Sequence, residues 1–537
     1  MYPENSTRQI KHNAGRHIEL LDTTLRDGAQ MKGISFSLED KLRIAECVDD
    51  AGIGLIEAGN PGSNPKDMEF IGRAILSGKL SAALVAFGST RRVGKEARED
   101  SGLASILSCG ARSASIVGKC WDYHVRDVLK TTNDENLRMI FESIYFLRKN
   151  GIRVIFDAEH FFDGYAADPQ YTMQCLEAAR DAGASTICLC DTNGGAFPSR
   201  VAAAVTDVVA RFANVVDIGI HCHNDGGMAV ANTICAFEAG ATHIQGTVNG
   251  YGERCGNADL CAVIANIQLK AGRYCIAPEK LARLTDLSRR VSEIANVPHD
   301  ETAPYVGGSA FTHKGGMHID GVEKAPASFE HVDPSKVGNV RRYSMSEVAG
   351  RSVLLSRLRH IAPGVEKGSQ ITETVIKRLK ELEYEGYQYE GAEASFELEI
   401  KKLLGMYRPH FSLVEFKVIV DEPSVGGAGS AALIKISVNG QVEITAEEGG
   451  GPVEALDRAV RKALERFYPQ IRKIKLTDYK VRVIDSGAAV AAKVRVLIES
   501  TDGAESWTTI GVSDDVIHAS WKALVDSMEY MLMNDGV

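Results

Sequence analysis

Eight short apolar runs succeed one another through the first half of the chain, most of them separated by enough residues for one helix. They are IELLDTT from Ile18, IGLIEAG from Ile53, AALVAFG from Ala82, SASIVGK from Ser113, RVIFDAEH from Arg153, STICLCDT from Ser185, VVDIGIHCH from Val215 and THIQGTVNG from Thr242. Intervening segments such as LEDKLRIAECVDDAG carry helical spacing. Several close on Ala51-Gly52, Asn150-Gly151, Ala182-Gly183 or Ala239-Gly240, where glycine suits the left-handed helix C-cap. Eight strands alternating with helices over roughly 250 residues is the pattern of an α/β (β/α)8 TIM barrel. A doubly wound sheet is the main rival, but no GxGxxG follows the first strand, which counts against it.

A chain of 537 residues exceeds one hydrophobic core. The barrel is expected over 16–286. A helical linker region, with segments such as ITETVIKRLKELEYEG and the glycine-rich THKGGMHIDG, is expected over 287–406. An α+β domain is expected over 407–537. There, ALIKISV and QVEITAEE flank Asn439-Gly440, a type I′ hairpin signal, and the helix VEALDRAVRKALERF follows. KVRVIDS, AAKVRVLIES, AESWTTIGV and VIHASWKALVDSMEYMLM repeat the theme. This domain has no catalytic cluster, so binding or subunit contact is its plainer role.

The net charge of −10 supplies no basic footprint for nucleic acid. No apolar run approaches the ~20 residues of a membrane helix, and the polar N-terminus does not resemble a signal peptide. The 11 cysteines include no CxxC and read as reduced thiols, so a cytoplasmic location is expected.

A barrel carries its chemistry at the C-terminal ends of its strands. The polar residues fall there: Asp22, Arg26 and Asp27 after the first strand, Glu57 and Asn60 after the second, Glu159 and His160 after the fifth. Asp191, Thr192 and Asn193 follow the sixth, His221 and His223 close the seventh, and Asn249 to Asn257 follow the eighth. Residues i and i+2 of a strand face the same way, so His221 and His223 point into the barrel and Cys222 away from it. Alone, the pair reads as metal ligands or as two satisfied core histidines. Asp27 lies close enough in a closed barrel to share a metal with them. Two imidazoles and one carboxylate make a ligand set that leaves positions open for substrate. Arg26 beside it can polarise a carbonyl or hold a carboxylate. In NGYGERCGN, glycines permit close backbone approach, Asn257 can offer an oxygen, and Glu253 and Arg254 can pair.

DTTLRDG, HCHND and NGYGERCGN, in that order, resemble the signature stretches of the DRE-TIM metallolyases. Within them the chain resembles, over its full length, the 2-isopropylmalate, homocitrate and citramalate synthases. DAEHFFDGY, KGGMHIDGV and the C-terminal half are most similar to the long, citramalate-forming branch. The resemblance implies an acyltransferase that joins acetyl-CoA to a 2-oxo acid. It implies Asp27, His221, His223 and Asn257 as ligands of a divalent metal, with Mg2+ or Mn2+ suiting the oxygen ligands and Zn2+ also acceptable to imidazoles. Arg26 would stabilise the developing alkoxide and Thr192 would hold the substrate carboxylate. Glu159 and the linker His318 would together remove a proton from the acetyl methyl, with Asp320 supporting His318. Some relatives carry a tyrosine shortly after that histidine; the nearest counterpart is Phe329, which has no hydroxyl, so either Tyr343 substitutes or no hydroxyl is needed there.

Pocket size then selects the 2-oxo acid. Phe87, Ile116 and Asp157 are the candidate walls. A bulky Phe87 favours pyruvate, and Asp157 disfavours the second carboxylate of homocitrate chemistry. 2-Oxoisovalerate, in leucine biosynthesis, is the alternative substrate. The C-terminal domain resembles the family's effector-binding and dimerisation domain, which implies a homodimer and a branched-chain amino acid effector, isoleucine in the pyruvate branch and leucine in the other. A hydroxymethylglutaryl-CoA lyase would lack this domain and carry a GGCP-type loop. A metal-dependent amidohydrolase would place HxH on the first strand. A non-catalytic amino-acid sensor would have no need of Arg26, Asp27, Glu159 and both histidines.

Overall fold

The eight apolar runs form strands β1 (Glu19–Asp22), β2 (Leu55–Gly59), β3 (Ala83–Ser89), β4 (Ser113–Lys119), β5 (Arg153–Glu159), β6 (Thr186–Asp191), β7 (Asp217–Cys222) and β8 (His243–Gly246). A computed structural model of the chain describes residues 18–534, apart from 314–315, 344–360, 362–369, 390, 426–427, 485–491 and 504. The strands close in sequence order into one parallel barrel, with β1 returning to pair with β8.

Local chemistry marks the helix ends. Ser37 and Asp40 form a reciprocal capping box at the start of Leu38–Asp50. Asn64 and Asp168 cap helices that open on Pro65 and Pro169. Gly78 and Gly240 end theirs at φ 61° and 117°, a region that disfavours side chains.

Two apolar layers follow from strand alternation. Leu21, Leu55, Val85, Ile155, Cys188 and Cys190 fill the barrel interior. Ile44, Phe70, Ile116, Phe156, Leu176, Val205 and Cys222 pack in the layer between strands and helices. Truncating Phe70 or Phe156 there would cost about 3–5 kcal/mol. Ile116 is therefore no pocket wall: β4 pairs Ser115 with Phe87 and Val117 with Asp157, and alternation turns Ile116 outward. Val117 is the inward neighbour.

The chain divides into two compact units. The first runs to Phe311 and takes up Glu330–Arg341. It extends past the expected limit at 286 because that point lies inside helix Leu284–Ala295, whose Leu287 and Val291 are buried in the barrel's outer core. The second comprises Thr312–Phe329 and the chain from Arg342. It contains the helix Gln370–Glu385, as its periodicity predicts.

Two three-stranded antiparallel sheets follow in the second unit, each trailed by a helix. Ser412–Val425, Ala428–Val438 and Gln441–Gly449 precede Pro452–Glu465. Lys475–Val483, Val494–Thr501 and Ser506–Ser513 precede Val516–Asn534. The internal repeat is thus present, with Asn439 and Gly440 at φ 48° and 82° in the predicted hairpin turn. The first strand escapes sequence reading because its apolar residues run together without alternating: Phe416 and Val418 pack inward, while Ile419, between Val418 and Val420, turns to the opposite face and is exposed. No helix among the described residues is long and apolar enough to cross a membrane.

Candidate metal centre and active site

Strand β7 brings His221 and His223 to the barrel mouth with their Nε2 atoms 3.4 Å apart. The turn after β1 delivers Asp27, whose Oδ2 lies 3.6 Å from His221 Nε2 and 3.8 Å from His223 Nε2. All three are buried. The NGYGERCGN loop closes on them: the backbones of His223 and Asn257 form a bridge, and Asn257 Nδ2 donates to Asp27 Oδ1 at 3.1 Å.

The electrostatics suit a divalent cation. Burial works against charge on Asp27, but Arg26 and then the histidines hold its carboxyl down at about 2. Burial, and then His223, push the His221 imidazole down to about 3; burial lowers His223 as well. An ionised carboxylate between neutral imidazoles is the protonation state a metal requires. The buried Oδ1 of Asn257 and Nδ1 of His223 have no hydrogen-bond partner among the described residues. An unpaired buried acceptor costs about 1–3 kcal/mol, and ligation through Asn257 Oδ1 would satisfy it. The donor set therefore fits the implied metal, with Asp27, His221, His223 and Asn257 as its holders.

Arg26 spans the mouth beside this cluster. Its Nε donates to Glu57 Oε2 at 2.6 Å, and its Nη1 lies 3.2 Å from Asp27 Oδ2. Its guanidinium sits over the Phe87 ring, 4.0 Å from the centroid. Burial opposes the charge, yet Glu57 and Asp27 raise the guanidinium above its ordinary range. Glu57, fully buried at the end of β2, was legible as a mouth residue, but its role as the seat of Arg26 was not.

Asp157 lies two residues before Glu159 on β5 and is buried. Burial, and then repulsion from Glu57, push its carboxyl up to about 7. It accepts from Gln245 Nε2 at 2.8 Å, and Gln245 Oε1 meets His221 Nδ1 at 3.0 Å. Sequence reasoning missed Gln245, although it sits two residues from His243 and so on the same strand face.

Thr192, half-buried after β6, accepts from the His160 amide through Oγ1 at 2.9 Å and from Arg254 through its carbonyl at 2.6 Å. The expected Glu253–Arg254 pair is not the principal one. Arg254 makes two bonds to Asp225, at 2.8 and 2.9 Å, while Glu253 stays 4.0 Å away. The fork geometry of guanidinium and carboxylate explains the preference. Glu159 forms an ion pair with Lys119, its register partner across β4 and β5.

His318 and Asp320 belong to the second unit, on the helix Gly316–Lys324. His318 is exposed and stacks on Phe329, with centroids 4.4 Å apart. Asp320 does not support it. Residues two apart on a helix do not share a face, and Asp320 pairs instead with Lys324 at 2.5 Å. Tyr343 lies on a two-residue strand beside His313 in the same unit.

Comparison with known proteins agrees with this layout. The HMGL-like family matches residues 17–291, a homocitrate synthase post-HMGL domain-like family 305–386, and the LeuA allosteric (dimerisation) domain 390–532. The chain is 49% identical to the (R)-citramalate synthase of Aquifex aeolicus over 96% of its own length and 98% of the relative's. It is 49% identical to that of a Synechocystis species, over 96% of both chains. A probable 2-isopropylmalate synthase of Methanopyrus kandleri is 31% identical over 95% of this chain and 97% of the relative. Matched over 96% of its length at this identity, the chain belongs to the (R)-citramalate synthase family, built on an HMGL-like barrel.

Proposed function

We propose that this chain condenses acetyl-CoA with pyruvate to give (R)-citramalate and free CoA. The observation that carries this reading is the convergence of Asp27, His221 and His223 beside an Arg26 fixed by Glu57, in a chain so similar to (R)-citramalate synthases. Asp27, His221, His223 and Asn257 would hold a divalent metal, Mg2+ or Mn2+ in preference to Zn2+. When bound, it supplies Lewis acidity and a template for the 2-oxo acid.

The chain's own residues do the rest. Thr192 would donate its hydroxyl proton to the substrate carboxylate. Glu159, with His318, would take a proton from the acetyl methyl, leaving an enolate whose carbon bonds to the keto carbon of pyruvate. The keto oxygen gains the electron pair and then a proton; Arg26 would stabilise it meanwhile, a kind of contribution worth about 3–4 kcal/mol. Water then cleaves the thioester and CoA leaves as the thiol. Phe87 would shorten the pocket, so that pyruvate is preferred over 2-oxoisovalerate.

The second unit would bind isoleucine as a feedback effector and join two copies into a homodimer. Ile419, Leu433, Val442 and Ile444 leave an exposed apolar face on its first sheet, which supports that role. The enzyme would act in the cytoplasm, at the entry to isoleucine biosynthesis.

The test is acetyl-CoA-dependent release of CoA thiol with Mn2+, offering pyruvate and 2-oxoisovalerate separately. Release with pyruvate, suppressed by isoleucine, is the expected result. Release with 2-oxoisovalerate would move the chain to isopropylmalate synthesis, and no release with either would remove the condensing reaction.

A further inference from the structure

We infer that Gln245, anchored by Asp157, is a positioning residue that sets the tautomer and ring orientation of His221 for metal binding; this rests on the metal reading above. Gln245 is fully enclosed at the end of β8 and has two different faces to its amide. Its Nε2 lies 2.8 Å from Asp157 Oδ1 and 3.4 Å from His243 Nε2. The His243 ring in turn directs Nδ1 at Glu19 Oε2, 2.9 Å away, so Nδ1–H donates to that carboxylate, and in the neutral ring Nε2 is left as an acceptor. With acceptors on that side, the amide must present its NH2 there. Its Oε1 then faces His221 Nδ1 at 3.0 Å and can only accept.

The consequence is directional. The His221 proton resides on Nδ1, and the lone pair of Nε2 points to the space shared with Asp27 and His223. His223 has no such anchor, since its Nδ1 lacks a partner among the described residues. The two histidines are thus unequal, and His221 is the one held in place before any ligand arrives. The chain of bonds descends from the mouth to the floor of the barrel, through Gln245 and His243 to Glu19 and Arg153. An outer partner of this kind commonly changes metal affinity by about 10- to 100-fold when removed.

The experiment is Mn2+ binding by the full-length, chelator-treated protein, read from the electron paramagnetic resonance signal of free ion, without substrate. Gln245→Leu is expected to weaken binding by about 10- to 100-fold while near-ultraviolet circular dichroism stays that of the folded protein. Asp157→Leu, which frees the amide to flip, should weaken it similarly. Asp157→Asn can still offer an oxygen to Gln245 and should retain affinity. A purely structural role would not separate the Asn from the Leu variant. If Gln245→Leu does not fold, that pair decides: loss in Leu alone supports the inference, and equal affinity overturns it. Wild-type affinity in folded Gln245→Leu overturns it as well, provided Asp27→Asn has lost the ion. Should the wild type bind no Mn2+, or Asp27→Asn bind as tightly, the metal reading fails and this inference falls with it.

Discussion

Arg26 rests on Phe87, its guanidinium carbon 4.0 Å from the ring centroid. The residue expected to limit substrate length therefore also supports the residue expected to stabilise the alkoxide. Phe87→Ala should do two things at once. It should admit 2-oxoisovalerate, and it should lower kcat with pyruvate, since a cation–π contact of about 0.5–2 kcal/mol is lost. Steady-state kinetics with both acids checks this, and unchanged parameters for both would remove Phe87 from the wall.

Arg26 engages Glu57 and Asp27 together, at 2.6 and 3.2 Å. A lysine is a single point charge without the planar fork and cannot meet both while lying over Phe87. Arg26→Lys is expected to lower kcat by about 100- to 1000-fold. It should also lower the melting temperature, because the fully buried Glu57 loses part of its compensation. A variant with wild-type kcat would contradict the alkoxide role.

Glu159 and Lys119 form an ion pair at the ends of β4 and β5, which could be the whole purpose of Glu159. Two variants separate the possibilities. Glu159→Gln should lower kcat by about 100- to 10,000-fold if the carboxylate takes part in proton removal, whereas Lys119→Met should cost far less. Equal losses in the two variants would show a structural pair.

Glu19 anchors the barrel floor, accepting two bonds from Arg153 at 2.7 and 2.6 Å and one from His243 at 2.9 Å. Burial alone would raise its pKa, but these partners hold it down to about 2. The sign follows from linkage: a depressed carboxyl contributes stability above its unfolded pKa, and loses that contribution as pH falls through its folded one. Stability should thus fall between about pH 4.5 and 2. Glu19→Gln should flatten that part of the profile, with about 1–2 kcal/mol lost at pH 7 after allowance for solvent screening. Urea unfolding at stepped pH reads this directly; an unchanged acid limb would exclude Glu19 as its source. Metal affinity in this variant is a separate question, since Glu19 also bonds His243.

Local pattern determined the eight strands, the left-handed helix ends at Gly52, Gly151, Gly183 and Gly240, the Asn439-Gly440 hairpin and the inward aim of His221 and His223. Each depends on a period of two or 3.6 residues, or on the backbone freedom of glycine, and these are properties of neighbours in sequence. Alternation applied to every strand would also have turned Ile116 outward and placed Gln245 with His243.

Tertiary structure alone decided which partner each polar group found. Arg26 meets Glu57, His221 meets Gln245 and Asp157 meets Gln245 only once the barrel closes and sets the strand registers. Arg254 chose Asp225 over its neighbour Glu253 for the same reason. A buried donor or acceptor must be satisfied by whatever the fold brings within about 3 Å, and that neighbour is set by packing across the barrel, which adjacency along the chain does not encode.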